Sequence, residues 1–248
     1  MTGRTTEERF HHARRDPGLA VLEGFHALKH ALRFGAEVLE AAVVEPEALS
    51  RLVASLAPDL EGRLPDAALE VVLPQTFARL APRPPATGVI AIARRPVTLP
   101  AAVLTAPGPA PAVALVAPRH AGNLGATVRV AAAAGAAGVL AIGGRDPWEP
   151  EAIRGAAGLQ YAIPVARLDA LPATDRPLVA VDPGGRPLAA GGLPPRALLA
   201  FGTERHGLGE PFLARADERV AIPMREGVSS LNLATAVAVV LYAWRLGP

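Results

Sequence analysis

The sequence has no cysteine and only one lysine. The lack of cysteine among 248 residues excludes disulfides, thiolate zinc sites and a cysteine nucleophile. Every basic residue except Lys29 is an arginine, a bias that we attribute to base composition rather than to function. The formal net charge of +2 is too small to indicate nucleic-acid binding. Charge alone therefore identifies no partner.

Long apolar runs are also scarce. The longest extends from Leu231 to Leu246, is interrupted by Asn232 and Thr235, and is too short to span a bilayer comfortably. We interpret it as a buried helix. The first residues are polar and lack the apolar core of a signal peptide, which predicts a cytoplasmic protein with no membrane partner.

The common cofactor and metal signatures are missing. There is no G-x-G-x-x-G between a strand and a helix and no G-x-x-x-x-G-K-[ST], which argues against dinucleotide oxidoreductases and P-loop NTPases. The pattern HExxH is absent too, and the six histidines show no ligand spacing, so we expect no metal.

A proline-rich stretch divides the chain. Residues 96–111 contain five prolines and no charged residue, which predicts an extended connection rather than a regular element. We therefore expect an N-terminal domain over residues 1–96, a linker over 97–111 and a second domain over 112–248. Half of the residues are apolar, as in compact globular domains.

Both parts alternate predicted helices and strands, which indicates an α/β protein. In the second part the segments AVALVAP, GVLAIGG, PLVAVD, ALLAFG and RVAIPM are apolar almost throughout. Such strands belong in a mostly parallel sheet covered by helices on both faces. Ligands bind beyond the carboxyl ends of parallel strands, so the chemistry is expected in the loops after Val116, Val181, Gly202 and Met224.

Three loops of the second part carry polar residues that a simple turn does not require. The first leads into a helix in which Asn123 could be the N-cap, with Arg129 on the solvent face. The second places Glu204 among glycines. In the third, Ser229 or Ser230 could cap the last helix, whereas Asn232 just inside an apolar helix is harder to explain structurally.

Together these loops resemble a known family. The segments NLGATVR, GTERHGL, and AIPM followed by VSSLNLATA are similar, in order and spacing, to the three motifs of the SpoU (TrmH-type, SPOUT superfamily) RNA 2′-O-ribose methyltransferases. The segment DPWEPEAIRGAAGLQYAIPV resembles the region between those motifs. VLEGFHALKHAL and TGVIAIARRP resemble the N-terminal substrate-binding domain of many members.

The resemblance implies a fold, a cofactor and a site. It implies a trefoil knot in the second domain, RNA binding by the first, and S-adenosyl-L-methionine as the methyl donor. The positions that carry over for the cofactor are Gly202, Ile222 and Leu231, and glycine at 202 would let a ligand approach the backbone. The implied catalytic set is Asn123, Arg129, Glu204, Ser230 and Asn232.

The reaction implied is displacement at the sulfonium methyl by a ribose 2′-hydroxyl, so much of the acceleration should be positional. A guanidinium stays protonated in proteins. We therefore interpret Arg129 as a clamp on the adjacent RNA phosphate that stabilises the developing alkoxide. Whether Arg129 or a phosphate oxygen accepts the proton is left open.

The partners expected are RNA, with ribosomal RNA favoured over transfer RNA, and a second copy of the chain. The last helix is apolar almost all round, whereas a surface helix of a monomer has one apolar stripe, which predicts a homodimer. Two other functions stay open: a non-catalytic RNA-binding protein with the same fold, which intact Arg129, Glu204 and Asn232 argue against, and a small-molecule methyltransferase.

Overall fold

The computed structural model describes residues 3–63, 68–203 and 206–247. The chain forms two compact units. The first combines the residues up to Val97 with Trp148–Ala162, and the second combines Thr98–Pro147 with the residues from Ile163 onward. Within the described part of the chain, no helix is both long and apolar enough to cross a membrane.

The first unit is a four-stranded mixed sheet with helices on both faces. Its strands are β1 (Leu19–Glu23), β2 (Val38–Val43), β3 (Leu69–Val71) and β4 (Val89–Arg94), in the order β1-β4-β2-β3. β4 is antiparallel to β1 and β2, and β3 is parallel to β2. The helices are α1 (Thr6–Ala13), α2 (Phe25–Arg33), α3 (Pro46–Leu56) and α4 (Pro74–Arg79). The first unit is thus α/β, as its alternating helices and strands predicted, while the domain bounds 1–96, 97–111 and 112–248 stay a prediction.

The first unit also contains a segment from far along the chain. Helix α7 (Pro150–Ala156) and its flanks belong to this unit, and Trp148 and Ile153 are buried in the same apolar cluster as residues of α2 and α3. The Trp148 ring meets Tyr161 edge-on at 5.1 Å between ring centroids. The Tyr161 hydroxyl donates to the carbonyl oxygen of Arg94 (3.0 Å), and burial raises the pKa of that hydroxyl.

The second unit is a six-stranded parallel sheet. Its strands are β5 (Ala112–Val116), β6 (Gly138–Ile142), β7 (Val165–Leu168), β8 (Leu178–Pro187), β9 (Leu198–Phe201) and β10 (Glu218–Ala221), in the order β10-β8-β9-β5-β6-β7. All five pairings are parallel. The α/β class with a parallel sheet is therefore confirmed, while the trefoil knot stays a prediction.

Helices lie against this sheet in two groups. Helices α5 (Pro100–Leu104) and α8 (Glu210–Leu213) lie with the apolar cluster built around Ala114, Leu140 and Leu198. Helix α6 (Ala121–Ala134) packs against β6 and against α9 (Leu233–Arg245). The buried side of α9 carries Val237, Val240 and Leu241.

The proline-rich stretch is not wholly extended, which corrects the expectation for residues 96–111. Its middle forms α5, where Pro100 occupies the first turn and so removes no helical hydrogen bond. Val103 and Leu104 are buried in the second unit's core, and this burial favours the helix.

A buried arginine fixes the rest of that stretch. The Arg176 side chain is buried, and its guanidinium donates hydrogen bonds to the carbonyl oxygens of Leu104, Ala106, Ala110 and Arg196 at 2.8 to 3.1 Å. Three of these carbonyls lie in irregular chain and that of Leu104 lies at the carboxyl end of α5, where they would otherwise lack donors away from water. The connection is therefore an ordered part of the second unit.

Candidate functional site at the carboxyl ends of strands β8 to β10

A cleft of about 390 Å³ opens beside the middle of strand β8 and beyond the ends of strands β9 and β10 in the second unit. Three chain segments after or along these strands form its walls, and the start of α9 closes it. The lining residues are Val181, Asp182, Pro183, Phe201, Gly202, Thr203, His206, Gly207, Ile222, Met224, Ser229, Ser230, Leu231, Leu233 and Ala236. The position agrees with the rule that ligands bind at this edge of a parallel sheet.

Four of the residues chosen from sequence line this cleft. Gly202, Ile222 and Leu231, selected for the cofactor, lie on its walls together with Ser230 from the catalytic set. The described lining residues do not include Asn123, Arg129 or Asn232. Glu204 lies outside the described residues.

The glycine at 202 is required by the chain itself. A Cβ there would lie 1.9 Å from the carbonyl carbon of Gly207, because Gly207 packs directly against the backbone at the end of β9. Thr203 and Gly207 exchange two backbone hydrogen bonds, of 3.1 and 3.0 Å, and Gly207 has φ +61°. A side chain at 202 would displace Gly207, which lines this wall of the cleft.

Asn232 is the N-cap of α9. Its Oδ1 accepts hydrogen bonds from the backbone N–H groups of Ala234 (3.0 Å) and Thr235 (3.3 Å). Its Nδ2 donates to the Oδ1 of Asn123 at 3.1 Å. The expectation that Ser229 or Ser230 caps this helix is wrong, because the helix begins only at Leu233.

Asn123 lies in the first turn of α6 rather than at its cap. The helix begins at Ala121 and the cap position is His120, so the interpretation of Asn123 as an N-cap is wrong. Because α6 and α9 pack together, their first turns come close enough for the two amides to bond. Residues more than a hundred positions apart thus form one pair.

Arg129 is exposed on α6, two turns beyond Asn123. Six residues of helix correspond to a rise of about 9 Å. No described residue forms an ion pair or hydrogen bond with its guanidinium, in contrast to the paired Arg167, Arg186 and Arg196 of the same unit. The solvent-facing position expected from sequence is observed. Arg129 can therefore reach a ligand that approaches from solvent.

The residues chosen from sequence omitted Asp182, Met224 and His206, all of which line the cleft. The strand predicted to end at Asp182 continues to Pro187, where it pairs with β10 after a register shift. Asp182 is the first polar residue after the apolar run of β8, and that was the available signal. Among the described residues, no cluster of three His, Asp or Glu side chains could hold a metal ion.

A parallel sheet with helices packed against it and a cleft beyond its carboxyl ends define the class: an α/β protein that binds a small molecule at that edge. The family follows from sequence. The model of the SpoU rRNA methylase family matches residues 110–242, more than half of the chain, and the protein belongs to this family. The resemblance inferred from the three motifs is confirmed.

Three similar proteins illustrate the relationship. The 23S rRNA (uridine(2479)-2′-O)-methyltransferase of Streptomyces viridochromogenes is 30% identical over 135 residues, which are 49% of this chain and 47% of that protein. The crystal structure of an RNA 2′-O ribose methyltransferase is 27% identical, with 98% of this chain and 96% of that chain covered and a TM-score of 0.70.

The third is the SpoU methyltransferase AviRb of Streptomyces viridochromogenes, solved in complex with AdoMet. It is 22% identical, with 97% of both chains covered and a TM-score of 0.77, and it shows the shared fold. The chain spans about half the length of the curated relatives it matches.

Proposed function

We propose that the protein transfers a methyl group from S-adenosyl-L-methionine to a ribose 2′-hydroxyl of RNA. One observation supports this above the others. Leu231 lines the cleft together with Gly202 and Ile222, and the next residue in the chain is Asn232, whose side chain is hydrogen-bonded to Asn123. The Asn232–Asn123 pair therefore directly follows a residue assigned to the cofactor, which supports the proposal. The names of the family and of two similar proteins agree with this reaction.

The cleft fits the methyl donor in size and chemistry. Its volume of about 390 Å³ lies within the range of small-molecule sites, roughly 300 to 1,000 Å³. Ile222, Met224 and Leu231 offer apolar surface for a purine ring, and Ser229 and Ser230 offer hydroxyls. When bound, S-adenosyl-L-methionine supplies a methyl group to the 2′-oxygen, its sulfonium becomes a neutral thioether and the hydroxyl proton is released.

The polar residues then orient the RNA. Arg129, exposed and without a partner among the described residues, donates to the phosphate beside the target ribose and stabilises charge on the 2′-oxygen. Asn232 fixes the amide of Asn123 while capping α9. We assign Ser230 and Glu204 to the same set on the strength of the family motifs.

The wider assignment follows from the same reaction. We propose that the first unit selects the RNA, that ribosomal RNA is favoured over transfer RNA, that the second unit contains the trefoil knot and that two copies form a homodimer. Reaction on such RNA would place the protein in the cytoplasm.

The function is tested by incubating the protein with methyl-labelled S-adenosyl-L-methionine and total RNA, followed by nucleoside analysis. We expect labelled 2′-O-methylnucleosides. Arg129→Ala should lower the rate on the order of 10²-fold and leave cofactor affinity unchanged, because the arginine acts on RNA. The control Arg215→Ala removes another exposed arginine of the second unit. Base methylation alone, or RNA binding without methylation, would refute the proposal.

A further inference from the structure

Asp182 introduces a carboxylate into the wall of the cleft. Its Oδ1 accepts a hydrogen bond from the backbone N–H of Gly184 at 2.9 Å, which holds the side chain in place. Its Oδ2 has no hydrogen-bond or ion-pair partner among the described residues. The second carboxylate oxygen is therefore available to a ligand.

The charge of Asp182 meets no permanently positive side chain among the described residues that line the cleft. The described lining residues include no arginine or lysine, and His206 is the only other titratable side chain among them. A fixed charge in a concave wall of low polarisability acts more strongly than one on an open surface. The cleft thus favours a cation.

The methyl donor and its product differ in charge. S-adenosyl-L-methionine carries a sulfonium, an ammonium and a carboxylate, hence a net charge of +1. S-adenosylhomocysteine has lost the sulfonium charge with the methyl group and is neutral overall. The two molecules are otherwise the same size to within one methyl.

We propose that Asp182 is a specificity-determining residue that makes the cleft bind the sulfonium form of the cofactor more tightly than the neutral thioether product. This selectivity rests on the proposed function. It favours release of the product once the methyl group has been transferred, because the attraction to Asp182 is lost in the same step.

The test is the ratio of the two dissociation constants, measured by calorimetry on the full chain. Asp182→Asn retains the acceptor for Gly184 and removes the charge. We expect it to weaken S-adenosyl-L-methionine binding about tenfold and S-adenosylhomocysteine binding by less than about twofold. Asp182→Glu should retain most of the wild-type ratio. Asp169→Asn, which removes the same charge from an exposed side chain outside the cleft, should leave the ratio unchanged.

An analogue in which a protonated amine replaces the sulfonium provides a second measurement. It should follow the methyl donor rather than the product. If Asp182→Asn does not fold, the wild-type protein alone tests the inference. It should bind S-adenosyl-L-methionine and the amine analogue more tightly than the neutral product, and this preference should decrease with salt.

Three results would overturn the inference. Equal weakening of both ligands by Asp182→Asn would assign the carboxylate to a group they share, such as the ribose diol. If the ratio is unchanged in Asp182→Asn, or if the wild-type protein binds the product as tightly as the donor, the charge of Asp182 does not determine selectivity. The proposed methyl transfer is unaffected by either result. A wild-type protein that binds neither ligand would instead refute the proposed function, and the selectivity with it.

Discussion

At the scale of single residues, Asn232 shows how one side chain can serve both stability and chemistry. Its oxygen caps α9 and its amide nitrogen bonds to Asn123, so the cap dictates which end of the amide faces the site. The family motif identifies Asn232 from sequence, but it does not reveal that the amide oxygen caps the helix while the amide nitrogen donates to Asn123. The motif residues were predictable because each of the three motifs is a contiguous segment of the sequence. Their hydrogen bonds were not, since these depend on how α6 and α9 pack.

Two substitutions at Asn232 separate the roles. Asn232→Asp keeps an N-cap oxygen and removes the donor to Asn123, so it should reduce methyl transfer with only a small change in stability. Asn232→Ala should additionally lower the free energy of unfolding by about 1 kcal/mol. Urea denaturation and single-turnover rates measure the two effects. Equal loss of stability in both variants would contradict this assignment of the cap.

Arg176 is the second informative residue, and its role is structural. Replacement by Met removes the donor to four carbonyl oxygens, and we expect a loss of about 3 kcal/mol or more in the free energy of unfolding. The control Arg167→Met breaks an exposed ion pair and should cost less than about 1 kcal/mol. Denaturant unfolding compares the two, and a similar loss in both would show that the buried hydrogen bonds contribute little.

At the scale of elements, the apolar runs predicted five of the six strands of the second unit and their parallel pairing. One prediction failed for a physical reason. Residues 100–104 form a helix because burial of Val103 and Leu104 favours it despite the surrounding prolines. Helix α7 packs in the first unit, and nothing in its local sequence pattern states which core it joins.

The attachment of that segment depends on Gly158. A Cβ at this position would lie 2.3 Å from the carbonyl oxygen of Ala27, and Gly158 has φ +79°. Gly158→Ala should therefore destabilise the first unit by more than about 2 kcal/mol, from strain plus the clash. Gly143→Ala is the matched control, since Gly143 has φ +63° but open space, and it should cost only about 1 kcal/mol. Equal unfolding free energies for the two variants would show that the close packing of Gly158 against Ala27 does not contribute to the loss of stability.

At the scale of the whole molecule, the domain bounds 1–96 and 112–248 stay a prediction, whereas the α/β character of both parts was predictable from periodicity. The packing of Trp148–Ala162 in the first unit was not predictable, because this long-range contact has no local signal in the sequence. The assignment of RNA selection to the first unit and cofactor binding to the second stays a prediction.

Assembly is the last property at this scale. Val239 and Tyr242 on α9 and Leu246 at its C-cap remain exposed although the opposite side of the helix is buried, and their spacing of three and four residues puts them on one stripe. An exposed apolar stripe on a helix whose opposite side is buried is what a two-fold partner would cover. We therefore expect light scattering at micromolar concentration to give about twice the chain mass of 25.5 kDa.

Tyr242→Glu should shift this assembly towards single chains, because a carboxylate would have to be desolvated inside the interface. Leu56→Glu changes an exposed leucine of the first unit in the same way and should leave the mass unchanged, since Leu56 lies outside the stripe. Thermal unfolding of both variants confirms that each is folded before the masses are compared. A wild-type mass near 25.5 kDa at every concentration, or equal dissociation by the two substitutions, would rule out α9 as the dimer contact.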